Sequence, residues 1–539
     1  MNAITALEDN LIRRVNVGDM LLRSAERFPA KEAVLDAERR FTYRELNAWA
    51  NRLAHGLEGL GFGPGDKLSI VSTNCVEFLV TYFACAKLGV ACVPINLLWK
   101  GGEMTYVLEH AAVRGVVVES SLLDSVVANL PAGGKVRELV AIELPGMAAP
   151  ATTAVPAGVR LSRLAELCAG QPDTEPEHIV PNDAPITVLY TSGTTSAPKG
   201  VVASHLAICM DSLGTALDTR MTDADRITAM LPLFHTAQLN ALCTPVIVAG
   251  GSIVILREFN PQALLELIER ERITIMFGLP LMVRALCDAQ EARASDVSSL
   301  RLVVYAMAAM PQHELVRAMK LLQCEFSLMF GQTEMSPVAA FFRPEHQLSH
   351  PGAVGTPATN VRIAIMGMNG KLLPQGESGE IVYRSPQALT GYLHNEQATA
   401  DVFRHGWFHS GDAGHFDSDG VLWFDDRFKD VIKTGGENVS SMEVEKAIMA
   451  NDPSVAEVAV VGLPHAHWTE AITAFVLARP GMVVDEAALL DKLYGQLSGF
   501  KCPKSVVVVA ALPKTATGKI QKAKLRAQFA GHYQEAPIR

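Results

Sequence analysis

The sequence predicts an α/β protein: a large N-terminal domain of parallel βαβ sheets with a smaller β subdomain, followed by a small α+β C-terminal domain. Three observations carry this. Helix-period and strand-like segments alternate from the N-terminus onward, the alternation resumes after Ser252, and the texture of the chain changes near Asp426.

The elements follow in order. Thr42 with Glu45 forms a capping-box pattern. It opens a helix whose apolar face is Leu46, Trp49, Leu53, Leu57 and Leu60. Residues 67–72 read as a strand, 76–88 as a helix, 90–95 as a strand and 103–111 as a helix, with 116–118 as the core of a further strand. The rhythm returns with strand 252–256, helix 261–271, strand 273–278, strand 300–306 and helix 312–322. Residues 148–158, rich in Ala, Pro and Thr, read as a surface connection. Beyond Asp426, helix 441–450, strands 456–461 and 472–477, and helix 486–498 make a unit of domain size. The expected division is 1–426 and 427–539, with the charged run 425–429 as linker.

A chain of 539 residues, 49% of them apolar, can bury sizeable cores. A formal net charge of −10 argues against nucleic acid as the main partner, because a phosphate backbone needs a basic face. A nucleotide needs only a local cluster of positive groups. The nine cysteines are odd in number and form no C-x-x-C pair, so they read as buried free thiols of a reducing compartment. The N-terminus has acidic residues and no apolar core of a secretory signal. The longest apolar stretch, 78–98, contains Lys87, Gly89 and Pro94 and reads as a helix followed by a buried strand, not a membrane span. A soluble, cytoplasmic protein is expected.

The strongest local signal is the run Thr191-Ser192-Gly193-Thr194-Thr195-Ser196-Ala197-Pro198-Lys199-Gly200, which follows the apolar strand 186–190. Glycines and small hydroxyl residues let a loop approach phosphate oxygens closely, and Lys199 adds a positive charge. The P-loop ATPase spacing does not fit, because Lys199 precedes its glycine. Five further runs follow in order. They are Leu231-Pro232-Leu233-Phe234-His235, Met329-Phe330-Gly331-Gln332-Thr333-Glu334, Gly406 to Asp412, Asp426-Arg427 through Lys433 to Asn438, and Pro513 to Lys519. Together they resemble the ordered signatures of the adenylate-forming superfamily, in its acyl-CoA synthetase branch, over nearly the whole chain.

The resemblance implies an ATP-dependent acid–thiol ligase. A carboxylate and ATP give acyl-AMP and pyrophosphate, and coenzyme A then takes the acyl group and releases AMP. It implies that Thr191, Ser192, Gly193, Thr194, Thr195 and Lys199 bind the nucleotide, together with Phe330, Gly331, Gln332, Thr333, Asp412, Phe424, Arg427 and Lys519. Glu334 matches the magnesium carboxylate; Mg²⁺ takes one or two carboxylates plus phosphate oxygens. Asp412 matches the acceptor of both ribose hydroxyls, and Arg427 a ribose contact. Lys519 matches the catalytic lysine, a cation that bridges the carboxylate and the α-phosphate; Thr191 and Glu334 join it in the catalytic set. The small domain is then mobile, hinged at Lys429, and its rotation brings Lys433, Gly435, Gly436 and Glu437 to the thiol channel.

His235 stands where amino-acid-activating relatives carry an aspartate for the substrate amine, so a substrate without an α-amine is expected. His235, Ala306, Met307 and Gly331 are the acyl-pocket candidates. Ala306 and Met307 replace two glycines usual in relatives. If Met307 points into the acyl tunnel it shortens or reshapes it; if it packs away, it does not. The alternative for His235 is a satisfied core histidine. The alternative acceptor is a separate carrier protein, loaded by an acyl-AMP ligase. A homodimer is compatible with the family, and the acid is not named by the sequence.

Overall fold

A computed structural model describes residues 4–99, 101–146, 154–191, 198–428, 430–435, 437–465, 467–514 and 520–533, the side chain of Asn438 excepted. Most of the connection at 148–158, and with it residues 147–153, lies outside this set. Two compact units emerge: Met1–Thr191 with Pro198–Ile363 and Tyr383–Arg404, and Ala364–Val382 with His405–Arg539.

The first unit holds two large sheets. One has nine strands, ordered Thr356–Pro357, Val338–Phe342, Glu325–Gly331, Leu302–Ala306, Ile275–Gly278, Arg226–Ala229, Ser252–Ile255, Glu32–Asp36, Arg39–Thr42. The six strands from Glu325–Gly331 to Glu32–Asp36 are mutually parallel, and antiparallel strands close both edges. The second sheet has eight strands, ordered Gly391–Tyr392, Lys199–Ser204, Pro185–Thr191, Ala91–Pro94, Lys67–Val71, Gly115–Glu119, Glu138–Ile142, Arg160–Arg163. Parallel strands need crossovers, and the alternation of periods in the sequence supplies them.

Helix Tyr43–Gly59 begins at the expected capping box, with Thr42 and Glu45 each bonding the other's backbone. Leu46, Leu53 and Leu57 are fully buried. Helix Val76–Leu88 is buried on all sides, which is why it reads as apolar throughout instead of showing one stripe. It packs on the helices Tyr43–Gly59 and Val17–Arg27. No helix among the described residues is long and apolar enough to cross a membrane. All nine cysteines are free, and eight are buried.

His205 starts helix His205–Asp218 inside this core, and its Nδ1 accepts the backbone N–H of Val17 at 3.1 Å. Burial, with a smaller contribution from the Arg14 charge, pulls its pKa from 6.5 to about 3. The unfolded chain therefore binds a proton that the folded chain refuses. This contribution to stability is intact above the unfolded pKa and is lost as pH falls from 6.5 toward 3. Between pH 7.5 and pH 5 it costs about 2 kcal/mol. His205→Asn keeps an acceptor for Val17 without a titrating group. Its denaturant midpoint is expected to fall less between those two pH values than the parent's, and equal falls would refute this assignment.

The second unit contains a small sheet in which Trp407–Phe416 pairs with Leu422–Arg427, and a five-stranded sheet built on the hairpin Val455–His465 and Thr469–Ala478. Ser505–Val508 joins that hairpin in parallel. Val458 and Val460 face a core shared with helices Ser441–Asn451 and Glu486–Tyr494, while Ala459, Val461 and Leu463 face a second core with Leu512 and Leu525. Both faces are covered, so the strand reads as a continuous apolar run. This compact unit is wider than the stretch 427–539, because 364–382 and 405–426 group with it. Asp426, expected in a linker, instead lies within the strand Leu422–Arg427 and is buried. Its carboxylate accepts the Ser441 N–H at 2.6 Å and so anchors the start of helix Ser441–Asn451.

Candidate functional site

Three of the sequence signatures leave the nine-stranded sheet at one edge. Residues 231–235 follow strand Arg226–Ala229, residues 306–311 follow Leu302–Ala306, and residues 331–337 follow Glu325–Gly331. These strands are parallel members of one sheet, so their carboxyl ends point the same way. In open α/β sheets this edge is where ligands bind.

Glu334 sits in a one-turn 3₁₀ segment, Thr333–Met335, after a β-bulge at Phe330 and Gly331. The turn is pinned from several sides. Gln332 N donates to the Pro337 carbonyl at 3.0 Å. Asp211 is buried in helix His205–Asp218, and its Oδ1 accepts Val338 N at 3.1 Å. Gln387 Nε2 donates to the Met335 carbonyl at 2.9 Å, and Ser336 Oγ donates to the Gln387 carbonyl at 2.8 Å. Leu389 N donates to the Glu334 carbonyl at 2.7 Å. The Glu334 side chain accepts the Tyr392 hydroxyl at Oε1, 2.9 Å away. Burial, and then the Glu334 charge, push the Tyr392 phenol above its ordinary pKa, so it stays a donor.

The strands that flank the glycine- and hydroxyl-rich run pair antiparallel as a hairpin. Thr191 ends strand Pro185–Thr191, and Lys199 opens the antiparallel strand Lys199–Ser204 directly opposite it. Ser192, Gly193, Thr194 and Thr195 lie outside the described residues. Lys199 Nζ stands 5.1 Å above the Tyr392 ring, a cation–π contact. The Lys199 ammonium and the Glu334 carboxylate thus meet on one tyrosine. Below the hairpin, the Tyr106 hydroxyl donates to the Pro198 carbonyl at 3.3 Å, and His110 Nδ1 lies 2.7 Å from the Tyr190 hydroxyl. Gln332 is partly buried, and its Nε2 is a buried donor without a hydrogen-bond partner among the described residues.

At the acyl candidates, Ala306 is buried and Met307 is 69% exposed. Met307 also has φ +75°, a conformation natural to glycine and strained for a side chain. It does not pack into the core. His235 is exposed and adjoins Phe234, with ring centroids 4.7 Å apart, so it is no core histidine. Its loop is stapled by Asn74, whose Nδ2 donates to the carbonyls of Leu231 at 2.9 Å and of Leu256 at 3.2 Å, and whose Oδ1 accepts Leu233 N at 2.9 Å. Asn74, Asp211, Gln387 and Tyr392 were not among the sequence candidates. Each lies far along the chain from the loop it serves.

In the second unit, Asp412 is buried and forms a 2.7 Å ion pair with Arg427 Nη1. Glu380 fixes the strand before it, with His409 Nδ1 at 2.7 Å and Gly411 N donating at 3.1 Å. Phe424, opposite Gly414, is partly buried on the strand paired with the one that carries Asp412. Lys433 and Glu437 are exposed on the two strands of a tight hairpin, and Gly435 is in its turn. Lys429, Gly436 and Lys519 lie outside the described residues.

The donor set fits magnesium. Glu334 presents one carboxylate with Oε1 already oriented, and among the described residues no three His, Cys, Asp or Glu side chains form a cage for another metal. Mg²⁺ needs no more protein than this when phosphate oxygens complete its shell.

Comparison with known proteins matches this arrangement. The model of the AMP-binding enzyme family matches residues 21–393, and that of the AMP-binding enzyme C-terminal domain matches 443–519. Feruloyl-CoA synthase of an Amycolatopsis species is 33% identical over 518 residues, covering 96% of this chain and all of that protein. A fatty acid–[acyl-carrier-protein] ligase of Streptomyces coeruleorubidus is 33% identical, covering 94% of this chain and 95% of its own. The ATP-bound structure of MatB from Rhodopseudomonas palustris superposes with a TM-score of 0.82 at 28% identity, covering 97% of this chain and 100% of its own.

Proposed function

Because the chain belongs to the AMP-binding enzyme family, we propose that it is an AMP-forming acid–thiol ligase acting on a carboxylic acid without an α-amine, with coenzyme A as the acceptor. The observation that carries this reading is the meeting of Lys199 and Glu334 on Tyr392. A cation at the foot of a phosphate loop and a carboxylate for a divalent ion are the two charges that a nucleotide triphosphate needs side by side. The acid's carboxylate attacks the α-phosphorus, the bond to the pyrophosphate oxygen breaks, and pyrophosphate leaves. The thiol of coenzyme A then attacks the acyl carbonyl and loses its proton to solvent; the C–S bond forms, the acyl C–O bond of the mixed anhydride breaks, and AMP leaves with that electron pair. Magnesium, when bound, neutralises phosphate charge. Glu334 holds it, Thr333 and Thr191 take phosphate oxygens, Lys519 bridges the carboxylate and the α-phosphate, and Phe330 stacks on the adenine. Asp412 and Arg427 take the ribose. Residues 427–539 are the lid, hinged at Lys429, and Lys433, Gly435, Gly436 and Glu437 border the thiol's path.

The acid enters at the carboxyl edge beside His235, Ala306, Met307 and Gly331. Met307→Gly removes a side chain held at positive φ and opens the space beside strand Leu302–Ala306. Each methylene that newly fits a pocket is worth roughly 1–3 kcal/mol. The kcat/KM profile is therefore expected to move about tenfold toward longer or bulkier acids, and an unchanged profile would remove Met307 from the pocket.

The test is AMP release with ATP, Mg²⁺ and a panel of aryl and fatty acids, with and without coenzyme A. Hydroxycinnamates lead the panel, since a relative is a feruloyl-CoA synthase. Sustained turnover only with coenzyme A supports the reading. A single equivalent of bound adenylate, indifferent to coenzyme A, would overturn coenzyme A as the acceptor and favour a carrier protein, the acceptor named for the Streptomyces coeruleorubidus relative.

A further inference from the structure

The segment 385–393 has no signature role, yet it ties the strand Lys199–Ser204 to the Glu334 turn. On one side its short strand Gly391–Tyr392 pairs antiparallel with Val201 and Val202 of the hairpin that closes on Lys199. Thr390 N donates to the Val202 carbonyl, and Leu393 N to the Gly200 carbonyl, both at 2.8 Å. On the other side it holds the Glu334 turn at three places: Gln387 on Met335 and Ser336, Leu389 N on the Glu334 carbonyl, and Tyr392 on the Glu334 carboxylate. The hairpin belongs to the eight-stranded sheet and the Glu334 turn to the nine-stranded one. Tyr392 is itself held, its N–H donating to Thr399 Oγ1 at 2.9 Å.

A glutamate carboxylate on a bare 3₁₀ turn can rotate about its terminal torsion. With the Tyr392 hydroxyl bonded to Oε1, that rotation is stopped, and Oε2 and the second lone pair of Oε1 are left in a fixed direction. The same ring carries Lys199 on its face. We infer that Tyr392 is a positioning residue that sets the direction of the Glu334 carboxylate on the same ring that carries Lys199, so that one protein carboxylate suffices to hold the divalent ion on the bound nucleotide. The inference rests on Glu334 being the metal carboxylate.

Tyr392→Phe deletes only the hydroxyl and leaves the ring under Lys199. Two measurements are made on the full chain: the Mg²⁺ concentration that half-saturates ATP–pyrophosphate exchange, and direct Mn²⁺ binding in the presence of ATP, read by electron paramagnetic resonance. Hydrogen bonds to charged groups contribute enough for about a tenfold effect. Tyr392→Phe is therefore expected to need about ten times more of either metal, with the affinity for metal-free ATP and the melting temperature unchanged. Glu334→Gln, run in parallel, separates the two layers of the argument. If Glu334→Gln loses metal dependence of binding and Tyr392→Phe behaves as the parent, the positioning role is overturned while Glu334 stands. If Glu334→Gln itself binds metal as the parent does, the metal carboxylate is elsewhere and the inference falls with it. A lower melting temperature in Tyr392→Phe with unchanged metal affinity would assign the hydroxyl a structural role and also overturn it.

Discussion

Gly331→Ala is expected to abolish acyl-adenylate formation, by about 100-fold or more, although alanine is the smallest change available. A Cβ at Gly331 would lie 1.9 Å from the Pro337 carbonyl oxygen and 2.9 Å from Ala339 N. Both are backbone atoms, so no side-chain rotation relieves the clash. The segment cannot back away cheaply, because Pro337 O already accepts Gln332 N and Val338 N is bonded to buried Asp211. Relief requires opening the bulge that delivers Glu334, and a misplacement of about 1 Å can cost about 100-fold in rate. Overpacking of this kind also costs roughly 1–3 kcal/mol. Pyrophosphate exchange and thermal melting measure the two effects, and exchange within threefold of the parent would show that the Glu334 turn does not depend on this close approach.

Asp412→Ala is expected to raise the KM for ATP by about 100-fold while leaving the fold nearly intact. If Asp412 takes both ribose hydroxyls, two charge-assisted hydrogen bonds disappear, each worth roughly 1.5–3 kcal/mol. Arg427 also loses its 2.7 Å partner. The strand keeps its shape, because Glu380 still holds His409 and Gly411. Steady-state kinetics with varied ATP, and the same with 2′,3′-dideoxy-ATP, give the check. The parent should discriminate strongly against the dideoxy nucleotide and Asp412→Ala should not. Equal discrimination by both would place the ribose elsewhere.

Much of this was legible in the chain itself. The capping box at Thr42 and Glu45, the helices 76–88, 261–271 and 312–322, and the sheet-forming runs appear where local pattern placed them. Local pattern suffices there because caps and periodicity act within a few residues. Position 426 shows the limit of local composition: Asp426 stands in a charged run, yet its carboxylate is buried and anchors a helix start fifteen residues on.

By itself, the sequence determined the order of elements, and through its resemblance to the family's ordered signatures it nominated Thr191, Lys199, Glu334, Asp412 and Lys519 for the chemistry. Only the tertiary structure decided how those runs are held. Asn74 reaches residues 231–233, Asp211 reaches Val338, and Gln387, Leu389 and Tyr392 reach back more than fifty residues to the Glu334 turn. It alone showed Met307 at positive φ and Gly331 against the Pro337 carbonyl. The physical reason is one of range. A residue's chemistry and its helical or strand preference are local, whereas orientation is set by hydrogen bonds between segments that only the packing of two sheets brings together.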